Sequence, residues 1–199
     1  MKRSIHELYL LPEKGWLSDC LHCKAGVPAK EAVADDHLRP NQLLAITLGA
    51  VTDREIGKKI LDAASSLLIP GAIRSLADRP VQYELPVFSG DGHLLNNPGR
   101  PYCGTYEGDE DTRRKPAYHN GTAWTWMAPS YPEAYFMVYG AFGKGTAKAI
   151  LSAGEKLFRS GCVGQLPEIL DGNYPHIPRG CDAQAWGITE VYRVWKMLH

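Results

Sequence analysis

A chain of 199 residues with 44% hydrophobic content is long enough to bury a substantial core and composed like an ordinary globular protein. Its 22 Lys and Arg balance 22 Asp and Glu, and no basic cluster interleaved with aromatics marks a nucleic-acid face. In the opening "MKRSIHELYLLPEKGW", acids and a proline interrupt the run before an apolar signal-peptide core can form, and no stretch approaches a membrane span. The expectation is a cytoplasmic chain with neither nucleic acid nor membrane as partner.

Five cysteines at irregular spacing do not make a disulfide framework, which suits a reducing compartment. Cys20 and Cys23 in "CLHC" are half of a zinc site or a redox dithiol at most, because no second ligand pair follows at suitable spacing. No metal or cofactor is therefore expected.

In chain order, "RPNQLLAITLGA" places Pro40 at a first helical position with Leu44, Leu48 and Val51 on one face. "TDRE" follows, with Thr52 and Glu55 spaced as a capping box, and Ile56, Ile60, Ala63 and Leu67 continue one apolar stripe until "IPG". Two helices joined so closely must lie side by side. From Ser75 to Pro116 the chain is rich in proline, glycine and charge. A segment of that length is an excursion over a site, with room for short strands, or partly disordered.

Between Tyr118 and Gly140 the chain is apolar and aromatic and reads as two buried helices broken by Pro129 and Pro132. A further stripe of Ile150, Ala153, Leu157 and Phe158 ends at "RSG". The last helix runs from Asp182, a plausible cap, through Ile188, Val191, Tyr192, Trp195 and Leu198, with Trp195 assigned to the core. No strand has comparable support, so the expected fold is all-α, a single domain of helical hairpins over residues 1–199 with 75–116 as a long loop.

Three loops concentrate polar residues just before a helix: Ala34–Gln42, Arg113–Trp126 and Leu166–Trp186. If those helices run parallel, the loops meet at one end of the bundle. Their residue types suit a sugar: Trp124, Trp126, Trp186, Tyr118 and Tyr174 offer stacking faces, while Asp36, Arg39, His119, His176 and Gln184 offer hydrogen bonds. Each has a plainer reading as well. Trp124 and Trp126 suit a core equally, Arg39 can pair with Asp35 or Asp36, and Asp171 with Gly172 is a common turn pair. Inverting hydrolysis of a glycosidic bond needs two carboxyl groups roughly 6.5–9.5 Å apart, and Glu168 and Asp171 are the carboxylates to examine.

The motifs "DDHLRPNQLLAITL", "GAIRSL", "YEGDEDTRRKPAYHNGTAWTWM" and "LPEILDGNYPHIPRGCDAQAWGITEVYR" together resemble, in this order, the C-terminal part of the amylo-α-1,6-glucosidase domain of glycogen debranching enzymes, from about Trp16 onward and weakest across Arg79–Arg100. The resemblance implies an (α/α)6 toroid, of which this chain is about half, and inverting release of the glucose branch stub from a limit dextrin. It makes Glu168 the general base and places Arg39, Asn41, His119, Trp124, Trp126, Gln184 and Trp186 in the glucose pocket. The family commonly has glutamine where Asn120 stands and proline where Thr125 stands. Its general acid lies in a "TWMDA"-like motif that this chain lacks, "TWMA" at Thr125–Ala128 belonging to the histidine motif. The implied partners are an α-glucan and either a second copy or a chain supplying the other half of the ring. A non-catalytic carbohydrate-binding module is the alternative.

Overall fold

The computed structural model of the chain describes residues 2–199. A short helical turn α1 (Lys2–Ser4) and a π-helical turn (Ile5–Tyr9) lead into two antiparallel ribbons, β1 (Leu10–Leu11) with β2 (Trp16–Leu17) and β3 (Leu21–His22) with β4 (Val33–Ala34). There follow α2 (Leu43–Thr47), α3 (Arg54–Ser65), β5 (Leu68–Ile69), β6 (Ala72–Arg74), α4 (Lys115–Tyr118), β7 (Ala123–Trp124), α5 (Ser130–Tyr139), α6 (Lys144–Ser152), β8 (Ile169–Leu170), β9 (Pro178–Arg179) and α7 (Ala185–Leu198).

Strands β5 to β9 pair in sequence order into one five-stranded antiparallel sheet, with Ile73 opposite Trp124 and Trp124 opposite Ile169. This overturns the all-α expectation: the architecture is mixed α/β rather than a toroid of helical hairpins. The reason lies in strand length. A strand of two or three residues shows no alternation, and its apolar pair reads as part of whichever helix pattern lies nearby. Between Tyr118 and Gly140, accordingly, the structure has β7 and one helix, α5, where two helices are expected.

Helix ends differ from their sequence signals in instructive ways. The cap of α3 is Asp53, whose Oδ1 accepts from the amides of Glu55 at 2.9 Å and Ile56 at 3.0 Å, rather than Thr52. Helix α7 begins after Gln184, with no side-chain cap, rather than at Asp182. Helix α6 stops at Ser152, and Leu157 and Phe158 belong to a separate 3-10 turn (Glu155–Arg159), because Gly154 passes tightly against Gly71 in the turn between β5 and β6. Gly71 has φ +80°, and a Cβ there would lie 2.5 Å from Leu157 Cδ1 and 2.7 Å from Gly154 Cα. Only glycine fits that turn.

One apolar cluster joins α2 (Leu43, Ile46), α3 (Ile60, Leu61, Ala64), β6 (Ile73), β7 (Trp124), α5 (Ala134, Val138) and β8 (Ile169). Helix α7 docks through a second cluster, Ala147 with Val194 and Leu198, and through an Arg193–Glu133 pair with N–O distances of 2.7 and 2.5 Å. Trp195, expected in the core, is 48% exposed, because the face of α7 that meets α6 carries Val194 and Leu198 instead. The segment 75–116 is largely irregular, with one isolated bridge between Phe88 and Leu94. Among the described residues no helix is long and apolar enough to cross a membrane.

Candidate functional site

Glu168 lies in the stretch entering β8 and is 8% exposed. Its amide donates to the Cys181 carbonyl over 2.8 Å, and its carbonyl accepts from the Thr125 amide. The backbone is thus clamped on both sides. The carboxylate is held as firmly: Oε1 accepts from the Tyr118 hydroxyl at 2.7 Å and Oε2 from the Cys181 amide at 3.0 Å. Gly180 makes this cradle sterically possible. It has φ +70°, and a Cβ there would collide with Glu168 Oε2. Burial, and next the Glu168 carboxylate, push the Tyr118 pKa well above its ordinary value, so the phenol stays a donor.

An aromatic cavity of about 360 Å³ opens beside this arrangement. Its walls include His119, Trp124, Trp126 and Trp186. His119 stacks on Trp124 with centroids 5.6 Å apart and planes at 6°, Trp126 stacks on Trp186 at 5.1 Å and 17°, and Trp124 meets Trp186 edge to face at 6.1 Å. The two stacked pairs form a box with apolar faces and a few polar edges, the usual chemistry of a small-ligand site. Burial and then the neighbouring Arg39 charge lower the pKa of His119, which favours a neutral ring able to both donate and accept.

Arg39 ties three loops to the cavity wall. Its guanidinium donates to the Ser75 carbonyl at 3.0 Å, to the His119 carbonyl, and to Asn120 Oδ1 at 2.8 Å. Its Nε lies 3.3 Å from Asp19 Oδ2, so neither Asp35 nor Asp36 is its partner. Asn41 Nδ2 donates to Asp19 Oδ1 at 2.8 Å. Asp19 is the residue that sequence reasoning missed: it lines the aromatic cavity and a neighbouring one of about 460 Å³, each together with Arg39 and Asn41. Its sequence context, "WLSDC", carries no motif, and only the fold brings it to Arg39. Ser75 and Met127, which sequence reasoning reached only as members of the "GAIRSL" and "TWMA" motifs, also line the aromatic cavity.

Several expected site residues lie outside the lining of the aromatic cavity. Asp36 is buried, bonds Lys14 Nζ at 2.7 Å and accepts from the Gln82 and Tyr83 amides at 2.9 and 3.1 Å, pinning the long loop. Asp171 takes both Arg179 Nε and Arg179 Nη2, at 3.2 and 3.0 Å, and the Tyr106 amide at 2.8 Å. His176, at φ 61°, turns its Nδ1 to the Asp171 carbonyl at 3.0 Å, and Tyr174 is 88% exposed. Gln184 Oε1 is buried without a protein partner and lines neither cavity that Asp19 lines. The two positions expected to depart from the resembled family are both engaged: Asn120 accepts from Arg39, and Thr125 Oγ1 donates to the Pro167 carbonyl at 2.6 Å.

The arrangement therefore offers an aromatic box, an ion-paired carboxylate on its wall, and a rigidly held second carboxylate behind Tyr118. A family model described as amylo-alpha-1,6-glucosidase matches residues 92–193, which include Glu168, Tyr118 and every tryptophan of the box. The "DDHLRPNQ" and "GAIRSL" motifs lie before the matched span. Comparison with curated protein sequences gives no match.

Proposed function

Since the chain belongs to the amylo-α-1,6-glucosidase family, we propose that it binds the glucose stub of an α-1,6-branched glucan and takes part in its hydrolysis with inversion, in the cytoplasm. The observation that supports this reading is the Glu168 cradle, in which a carboxylate is fixed by one hydroxyl and one amide beside an aromatic box. Each carboxylate oxygen keeps a lone pair beyond the bond it accepts. Glu168 takes a proton from water as the water oxygen attacks the anomeric carbon, and the departing O6 of the glucan takes a proton from a general acid. The tryptophans stack on the sugar ring, and Asp19, Arg39 and Asn41 face its hydroxyls.

Among the described residues Asp19 is the only carboxylate lining the aromatic cavity, and it is already paired with Arg39. The acid is accordingly supplied from outside these residues, by the rest of a larger enzyme or by a partner. Asp36 is no substitute, since it lies beneath Gln82 and Tyr83.

One observation favours a second reading, a carbohydrate-binding module without hydrolysis: Glu168 does not line the aromatic cavity, and both its oxygens already have protein donors. Glucose release from phosphorylase limit dextrin, compared between the unaltered chain and Glu168→Gln with glucan affinity measured alongside, separates the two. Hydrolysis lost with affinity retained supports the enzyme. No hydrolysis in either even when the source of the general acid is present, with glucan bound equally by both, supports the module.

A further inference from the structure

Asp19, Arg39 and Asn41 line both the aromatic cavity and its neighbour of about 460 Å³. Asp19 sits apart from the other two in sequence, in the three-residue connection 18–20 between β2 and β3. We propose that Asp35, which lines neither cavity, is the positioning residue that holds Asp19 and through it sets how Arg39 and Asn41 face the sugar. This rests on the reading of the aromatic cavity as the branch-glucose site.

Asp35 grips the connection twice. Its amide donates to the Cys20 carbonyl at 3.1 Å, and its Oδ1 accepts from the Asp19 amide at 2.9 Å, with Ser18 Oγ 3.1 Å from the same oxygen. Asp19 Oδ1 in turn accepts from Asn41 Nδ2 at 2.8 Å, and its Oδ2 lies 3.3 Å from Arg39 Nε. A shift of the Asp19 backbone therefore moves the acceptor of one sugar-facing side chain and the counter-charge of another.

The Asp35 carboxylate is itself fixed. It is 1% exposed, and its Oδ2 lies 3.1 Å from His22 Nε2 and 3.3 Å from His37 Nδ1. Both rings are held by Tyr83 of the long loop: His22 stacks on it with centroids 3.9 Å apart, and His37 Nε2 lies 2.8 Å from its carbonyl. Two histidines on one oxygen leave the other aimed at Asp19. Burying a carboxylate is unfavourable unless its oxygens are bonded, and here one bond goes to the connection residue whose side chain reaches the cavity wall. An apolar side chain would fill the same space but leave the Asp19 amide without an acceptor.

The test is calorimetric titration of glucose into the unaltered chain, Asp35→Ala, Asp35→Asn, Asp19→Ala and the double variant Asp19→Ala with Asp35→Ala. Asp35→Ala is expected to weaken glucose roughly three- to tenfold, the size of one hydrogen bond, and Asp19→Ala by at least as much. Because Asp35 acts through Asp19, the double variant should bind no more weakly than Asp19→Ala alone, whereas a general loosening of the fold multiplies the two losses. Asp35→Asn keeps an oxygen for the Asp19 amide and turns its NH2 to the two histidines, which accept as neutral rings, so its glucose affinity should stay within about twofold of the unaltered chain. Multiplied losses in the double variant, unchanged affinity in folded Asp35→Ala, or Asp35→Asn as weak as Asp35→Ala overturns the proposal. Hydrogen exchange on the unaltered chain gives a readout that needs neither variant nor sugar. The Asp19 amide should be protected as well as that of Ser18, which donates to the Tyr9 carbonyl at 2.7 Å, and exchange at the rate of an open loop overturns the hold by Asp35. Absence of glucose binding by the unaltered chain, with the Asp19 amide protected, upholds that hold and counts against the aromatic cavity as the glucose site.

Discussion

The Tyr118 hydroxyl donates to Glu168 Oε1 across 2.7 Å, although 50 positions separate the two in sequence. The bond joins the end of α4 to the entry of β8 and leaves the carboxylate one orientation.

Tyr118→Phe keeps the ring and removes only that donor. A hydrogen bond to a charged group contributes about 1.5–3 kcal/mol, so in an assembly competent for hydrolysis the rate is expected to fall about ten- to a hundredfold. Glucan affinity should stay near that of the unaltered chain. An unaltered rate in Tyr118→Phe would mean that Glu168 is oriented by its backbone clamp alone.

Gly180→Ala attacks the same cradle from the other side. The position has φ +70°, and the new methyl would meet Glu168 Oε2. Strain of this kind costs about 1–3 kcal/mol, which should appear as a lower melting temperature together with lost hydrolysis. Equal melting temperatures for the two proteins would contradict the geometry.

Asp36→Asn separates scaffold from site. The carboxylate bonds Lys14 and two amides of the long loop, and burial opposes its charge while Lys14 and those amides together hold its pKa below the ordinary value. The prediction is a lower urea midpoint, equivalent to about 1–3 kcal/mol, with glucose affinity unchanged. A large loss of sugar affinity at full stability would return Asp36 to the binding site.

A buried histidine sets an expected pH dependence. His37 Nδ1 lies 3.3 Å from Asp35 Oδ2 and its Nε2 lies 2.8 Å from the Tyr83 carbonyl, so both ring nitrogens face acceptors and the imidazolium fits best. Burial lowers its pKa, but the Asp35 bond and charge and the Tyr83 carbonyl outweigh that and Arg39's opposing charge, leaving it raised. A group whose folded pKa is raised stabilises fully below its unfolded pKa, roughly 6.5, and loses that contribution as pH rises through the folded value. Asp35 behaves oppositely. Burial would raise its pKa, yet His37, His22 and the Asp19 amide hold it far below normal, so its contribution is present above pH ~4 and lost in strong acid. Urea midpoints measured from pH 5 to 9 should therefore decline on the alkaline side, and His37→Gln should flatten that decline. An identical slope in both would sink the assignment.

Arg193→Ala should loosen α7. Its guanidinium pairs with the buried Glu133 carboxylate and with Glu190, and those two bonds raise its pKa despite burial. Losing the partner of a buried carboxylate costs about 1–3 kcal/mol. Hydrogen exchange over 185–198 should quicken before the rest of the chain if the pair anchors the helix.

The sequence by itself determined the family, the presence of helices α3 and α7, and the candidacy of Glu168 and the box tryptophans. These are signals carried by contiguous residues: helical periodicity, and motifs that keep their order. The fold class was decided elsewhere. Five strands of two or three residues bond to one another across separations of up to about 50 positions, and pairs that short leave no period to read. The partners of the polar residues likewise come from packing. Asp19 reaches the cavity wall through Arg39 and Asn41, Asp36 is taken by Lys14 and the long loop, and Asp171 is taken by Arg179. A carboxylate's function depends on which donor lies within about 3 Å of it, and in a folded chain that donor is chosen by packing rather than by sequence neighbourhood.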